Sequence, residues 1–401
     1  MIREQLQHTP QSAGPLPDFI RYLNDSAWAR RRGARDVMDF MLGTPQEMPL
    51  PEVTAALKYW ADPLTKDWFG YKGSDAPARE VSARSLRGRT GVPFEPDDIA
   101  LTNGAFGALR VALRLIAAPG DEVIVNIPAW SFYEPLLRDA GVIPVKVAVR
   151  PDTLEIDVAG IAAAVTPHTR AIILNSPNVP SGRIYARKTL RTLANVIEEL
   201  SRCNGRRIYC ISDEVFARIT FDGMRPVSPA EVYDHTLVVY SWSKQLLIPG
   251  QRIGYLALHP RMPERDELRD ALFMAQIAGG YAFPSALMQH ALADLDPLTI
   301  DVAHLQRKRD RMTGALRAIG YDIQTPEGAF YLLPRTPIPD DMAFAEMLAV
   351  RDVFVLPGEL FEYPGYFRLS LTASDDMIER SLPHFEAVLR QCRPAEALSA
   401  D

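Results

Sequence analysis

Cysteine is scarce in this chain, with 3 in 401 residues, at Cys203, Cys210 and Cys392. Three scattered thiols exclude a disulfide framework and a four-cysteine zinc site, and no other metal site is evident; the thiols fit a reducing compartment. Positive charge is not in excess either. The formal net charge is −6, from 44 Lys and Arg against 50 Asp and Glu, so the basic footprint that nucleic acid demands is missing. The densest cationic cluster, Arg30, Arg31, Arg32 and Arg35, reads as a solvated helix end. No apolar run approaches the ~20 residues that span a bilayer. The polar start, Met1 to Gln11, lacks the apolar stretch of a secretory leader. A soluble, cytoplasmic protein without nucleic-acid or membrane partners is expected.

What is present is a globular composition, 47% hydrophobic and 23% charged. Its length suggests two or three domains. Residues 1–45 read as a polar arm with one amphipathic helix, Asp18 to Arg32, ended by Gly33. From about residue 85, helical periodicity alternates with short apolar runs. The runs are Ile99–Thr102, Glu122–Ile127, Ile143–Val149, Ala171–Asn175, Arg207–Ile211, Thr236–Tyr240 and Gly254–Ala257. Continuously apolar strands separated by helices imply an α/β fold: a mostly parallel sheet covered by helices on both faces. This large domain is placed at 46–290. From 291 to 401 the pattern changes. A long helix (Pro297–Ile319), strands at Phe330–Leu333, Val353–Leu356 and Tyr366–Leu371, and a last helix capped by Ser374 predict a smaller α+β domain. The N-terminal arm is expected to pack with it.

In open α/β sheets ligands gather at the carboxyl ends of the strands. There the sequence places Asn103-Gly104-Ala105, Pro128-Ala129-Trp130, Ser176-Pro177-Asn178, Asp213-Glu214 and Ser241-Trp242-Ser243-Lys244. A glycine-hinged helix start favours phosphate, because free N–H groups and the dipole point at the anion. Many such turns use glycine for geometry alone. Lys244 follows a buried run; it is either a loop lysine or a desolvated amine able to attack a carbonyl. Asp213 either caps the next helix or holds a ring nitrogen protonated. Trp130 packs in the core or stacks on a flat ring. Arg368, inside a late strand, pairs internally or with a substrate carboxylate. Ser241, Ser243 and Arg252 add donors for an anion.

In this order and spacing the segments resemble the class I/II aminotransferases of fold type I, from about Gly43 to the last helix. The most specific stretch is Ser241-Trp242-Ser243-Lys244 through Pro249-Gly250-Gln251-Arg252-Ile253-Gly254-Tyr255. Asn175-Ser176-Pro177-Asn178-Val179-Pro180-Ser181-Gly182, Ser212-Asp213-Glu214 and Phe367-Arg368-Leu369-Ser370 follow. The resemblance implies pyridoxal 5'-phosphate bound to Lys244 as a Schiff base, with Lys244 then moving the Cα proton. It implies Asp213 on the pyridine nitrogen, Asn178 on the phenolic oxygen and substrate, and Trp130 stacked on the ring. Gly104, Ala105, Ser241, Ser243 and Arg252 would hold the phosphate. Arg368, helped by the backbone at Gly43, would hold the α-carboxylate. The implied reaction moves an amino group between an amino acid and a 2-oxo acid, in a homodimer with shared sites.

Two departures stand out. The family carries a tyrosine three residues after the aspartate; here that place is Phe216. Without its hydroxyl the Lys244 linkage should keep its proton to higher pH. The partner-chain tyrosine that reaches the phosphate is best matched by Tyr71, although the spacing is off and Phe69 competes. Phe216 also keeps a second reaction type open: elimination, replacement or oxidase-like chemistry with the same cofactor. A DNA-binding regulator built on this fold needs more chain than the roughly 40 residues before Gly43. The substrate side chain is not named. A second arginine for a dicarboxylate cannot be placed, and Trp68, Phe69, Tyr71, Tyr281 and Phe283 suit either a bulky apolar substrate or the core.

Overall fold

The computed structural model describes residues 16–280 and 283–392; Tyr281 lies outside them. Its centre is a seven-stranded sheet. The strands are β2 (Ile99–Thr102), β3 (Glu122–Ile127), β4 (Ile143–Ala148), β5 (Thr169–Asn175), β6 (Tyr209–Asp213), β7 (Thr236–Ser241) and β8 (Gly254–Leu258). β1 (Met38–Asp39) lies outside this sheet. The order is β2-β8-β7-β6-β5-β3-β4. β8 runs antiparallel to both neighbours and every other pairing is parallel. Burial explains the runs: β2, β5, β6, β7 and β8 bury all or nearly all of their side chains, because helices cover both faces. One of them, Arg187–Cys203, buries Leu190, Leu193, Ala194, Ile197 and Ser201, a single stripe at helical spacing.

Because β8 is reversed between β2 and β7, the carboxyl ends of β2, β7, β6, β5 and β3 all point to one edge. The amino end of β8 joins them there: Gly254 pairs with Thr102 on one side and Ser241 on the other. Arg252, just before Gly254, is therefore delivered to the same edge.

The C-terminal part builds a second core. β9 (Tyr331–Leu332), β11 (Leu356–Pro357) and β12 (Phe367–Ser370) form a three-stranded antiparallel sheet in the order β11-β12-β9. Phe330, Phe344, Phe367 and Phe385 pack in one apolar cluster with it. β10 (Val353–Phe354) pairs with β1, Met38 opposite Val353, and Phe40 joins the same cluster.

Two expectations are corrected. The N-terminal helix breaks into Leu16–Asp25 and Ala27–Arg31, because the Ser26 hydroxyl caps the second piece through the Ala29 N–H at 3.3 Å. The strand expected over Val353–Leu356 is two short ones, which pair with different partners. Of the arginines after that break, Arg31 pairs with the nearby Asp36 at 2.5 Å and with the distant Asp352 at 3.0 Å. Among the described residues no helix is long and apolar enough to cross a membrane.

Candidate active site

The converging strand ends enclose a cavity of about 220 Å³. Lys244, Asp213, Ser241, Ser243, Arg252, Ala105, Trp130 and Phe216 line it. They come from five separate strand ends, which is why no local window of sequence contains the site.

One corner is built for an anion. Gly104 opens the 13-residue helix Gly104–Ile116 with φ +70°, a left-handed conformation that favours glycine. A Cβ there would sit 2.6 Å from Arg252 Nη2, so glycine also admits the guanidinium. Ser241 Oγ and Ser243 Oγ are 2.8 Å apart. Arg252 donates to the carbonyls of Pro249 at 2.6 Å and Asn103 at 3.3 Å. Among the described residues it has no carboxylate partner, and burial lowers its pKa. Helix N–H groups, two hydroxyls and an unneutralised guanidinium together suit a phosphate.

Opposite lies Asp213, 4% exposed. Strand alternation separates it from its neighbour. Glu214 turns to the other side, accepting from Arg89 at 2.9 Å, Ser212 at 2.9 Å and Ser228. It is a structural carboxylate. Asp213 faces the cavity and accepts from the Tyr133 hydroxyl at 2.6 Å. Burial pushes its pKa up to about 6, against the pull of the Tyr133 hydroxyl and the Val215 N–H. Such a carboxylate gains a proton or a cation readily.

Lys244 sits on the four-residue helix Trp242–Gln245, whose cap is Ser241. Its ammonium has no carboxylate partner among the described residues. It lies 5.8 Å from the Phe216 ring centroid and 5.6 Å from that of Phe330. Arg368, 8% exposed, is not itself a lining residue but packs on one, Tyr331. Its guanidinium stacks on the Tyr331 ring at 4.4 Å and donates to Met41 O at 3.1 Å. Nε has no partner, and burial lowers the pKa. The internal ion pair left open by the sequence is therefore absent among the described residues. Gly43 makes room for this arrangement: a Cβ there would lie 2.1 Å from the Tyr331 hydroxyl.

Gly43 and Gly104, like Arg368, are not lining residues themselves, and two further expected residues are elsewhere. Asn178 does not line the cavity; its Oδ1 accepts from Ser181 Oγ at 2.7 Å. The loop presents Val179 and Asn175 instead. Asn175 is committed, donating to Asp213 O at 3.0 Å and accepting from Val179 N at 2.7 Å. Tyr71 is fully exposed and outside this chain's cavity. Sequence reasoning missed Tyr133, Tyr331 and Phe106, all lining residues. Tyr133 was within reach, three residues after Trp130 in the same strand-end segment.

A family model described as aminotransferase class I and II matches residues 35–385. An aspartate/prephenate aminotransferase of Thermus thermophilus is 32% identical over 389 residues, covering 93% of this chain and 96% of that protein. A probable N-acetyl-LL-diaminopimelate aminotransferase of Bacillus subtilis is 27% identical, covering 90% and 91%. Among solved structures, an amino transferase from Eubacterium rectale superposes with a TM-score of 0.90 at 29% identity, over 98% of this chain and 99% of that one. Thermus thermophilus aspartate aminotransferase with maleate gives 0.81 at 28%, over 94% and 97%.

Proposed function

The chain belongs to the class I and II aminotransferases and is an enzyme of amino-group transfer, and from that premise we propose that it works with pyridoxal 5'-phosphate held on Lys244. The observation that carries this reading is charge left over. Lys244 and Arg252 line the cavity, Arg368 stacks on Tyr331, another lining residue, and none of the three has a carboxylate partner among the described residues. Of the three only Arg368 is buried, and an unpaired buried cation is costly unless a ligand neutralises it; a substrate carboxylate would do so there, and a phosphate would meet the accessible Arg252.

When bound, the cofactor supplies an electron sink for the Cα carbanion. This chain supplies the rest. Arg252, Ser241, Ser243 and the N–H groups at Gly104 and Ala105 would hold the phosphate. Asp213, set by Tyr133, would keep the ring nitrogen protonated, and Trp130 would cover the ring. Lys244 would anchor the aldehyde carbon and, once released, carry the Cα proton on Nζ. Arg368 would fix the α-carboxylate and so orient the Cα–H bond. The unit 46–290 would hold the cofactor, and 1–45 with 291–401 would close over the substrate. Tyr59, Leu64, Phe69 and Tyr71 expose apolar surface on one stretch; a second copy would cover it, with Tyr71 reaching the partner's phosphate site.

Borohydride reduction of the loaded enzyme, followed by peptide mapping, tests the assignment. The label is expected on Lys244, and a label on another lysine overturns it. Arg368→Gln is expected to raise KM for an amino acid roughly 100-fold or more, the cost of unpairing a buried charge. Turnover of an amine without a carboxylate should change far less, and equal losses for both would count against the assignment.

Phe216 has no hydroxyl and Asn178 does not line the cavity, so the wall beside Lys244 lacks the two donors implied for a ring oxyanion, and the Lys244 linkage should stay protonated to unusually high pH. A restored hydrogen bond to a charged group is worth about 1.5–3 kcal/mol, or ~1–2 pH units. Phe216→Tyr is therefore expected to lower the midpoint of the cofactor's absorbance titration by that amount. A midpoint that does not move would show that the wall is not what sets it.

A further inference from the structure

We propose that the outer wall of the cavity is a subsite for an aromatic or bulky apolar side chain of the amino donor. The proposal rests on the reading of Lys244 and Arg368 given above and adds the substrate class.

Four rings from three separate stretches meet there. Phe106, the third residue of the helix Gly104–Ile116, lies 4.6 Å from Trp130 and 5.8 Å from Phe132, centroid to centroid, both edge-on. Trp130 and Phe132 are 5.2 Å apart. Phe132 in turn meets Phe19 of the helix Leu16–Asp25 at 5.9 Å and 87°. This is a continuous aromatic surface, running from the cavity to the N-terminal helix. Trp130 is taken by the cofactor ring in the reading above, which leaves Phe106 to face the substrate, with Phe132 packed behind it. Phe106 lines the cavity and remains 38% exposed although its neighbours are rings. An apolar ligand group that covers it removes apolar area from water, and edge-to-face packing with these rings favours a flat one.

Among the described residues, a substrate with a charged side chain finds no free counter-charge here. The cavity's lining cations are Lys244 and Arg252, and both have tasks. On the flanking elements, Lys146 is paired with Glu134 at 2.6 Å and with Glu362. Arg21 is paired with Asp18 at 2.7 Å. A side-chain carboxylate would therefore be desolvated against rings, which strongly disfavours it.

Unreactive carboxylates separate this subsite from the chemistry. Isothermal calorimetry on the loaded enzyme would compare 3-phenylpropanoate, propanoate and succinate. Phenylpropanoate is expected to bind at least ~10-fold more tightly than succinate, the scale on which an apolar pocket discriminates. Phe106→Ala should lower the phenylpropanoate-to-propanoate affinity ratio by about the same factor. Phe132→Leu, which keeps most of the packing, gives a second variant should Phe106→Ala fold poorly. It should lower that ratio in the same direction. Tighter succinate binding, including through a cation from a second copy, overturns the proposal, as does an unchanged ratio in both variants. The transfer reading is checked in the same preparation by mixing it with phenylalanine, alanine and aspartate. Loss of the cofactor's absorbance band with none of them defeats that reading, whereas calorimetry decides the subsite.

Discussion

Replacing Lys244 by Ala is expected to lower transamination by about 10⁴-fold or more, because in the proposed reading one side chain serves as both covalent anchor and proton carrier. The same variant should still fold. Lys244 has no ion pair among the described residues and only weak contacts with the faces of Phe216 and Phe330, each worth about 0.5–1 kcal/mol at such distances. Thermal unfolding of the cofactor-free protein should therefore shift by only a few degrees, since about 1 kcal/mol moves a midpoint by ~2–4 °C in larger domains. Lys244→Arg sharpens the argument: it keeps a cation in the cavity but loses the nucleophile, and should be as inactive as the alanine variant. Residual activity above about one per cent in either would mean that another amine does the chemistry.

How much of this was legible beforehand depended on whether a feature is local. β3 runs from Glu122 to Ile127 in the sequence reading and in the structure alike, because a strand buried on both faces is continuously apolar. The same logic located the strand ends and hence Asp213, Ser241, Lys244 and Arg252. Features set by distant partners were not readable. The split between β10 and β11 follows from Met38 and Arg368 pairing on different sides, far away in sequence. Asn178 and Val179 are adjacent, and only the path of the loop decides which one faces the cavity. Arg368 was ambiguous for a related reason: a sequence shows an arginine in a strand, whereas the absence of a carboxylate beside it is a property of the packed core.

Asp213→Asn should act in opposite directions on the empty and the loaded protein. In the empty protein, burial raises the Asp213 pKa to about 6 from an ordinary value of 3.8. The folded state then holds a proton that the unfolded chain has already released, so stability falls as pH rises through that window and stays lowered above it. Asparagine cannot titrate. Relative to wild type, the empty variant should gain stability across the same window, from near equality at about pH 4 to roughly 3 kcal/mol by pH 7, at 1.36 kcal/mol per unit. Once a pyridinium nitrogen faces the carboxylate, the sign reverses, because an opposite charge favours the ionised form. Breaking that buried pair costs about 3–5 kcal/mol, so cofactor affinity and turnover together should fall by ~100- to several-thousand-fold. Chemical denaturation of both empty proteins from pH 4 to 8, beside cofactor titrations at pH 7, reads both arms. Parallel stability curves would show that Asp213 is not strained in the empty site, and unchanged cofactor affinity would show that it does not face the ring nitrogen. The two outcomes together would mean that Asp213 is kept by the ligand's chemistry, which packing alone does not require.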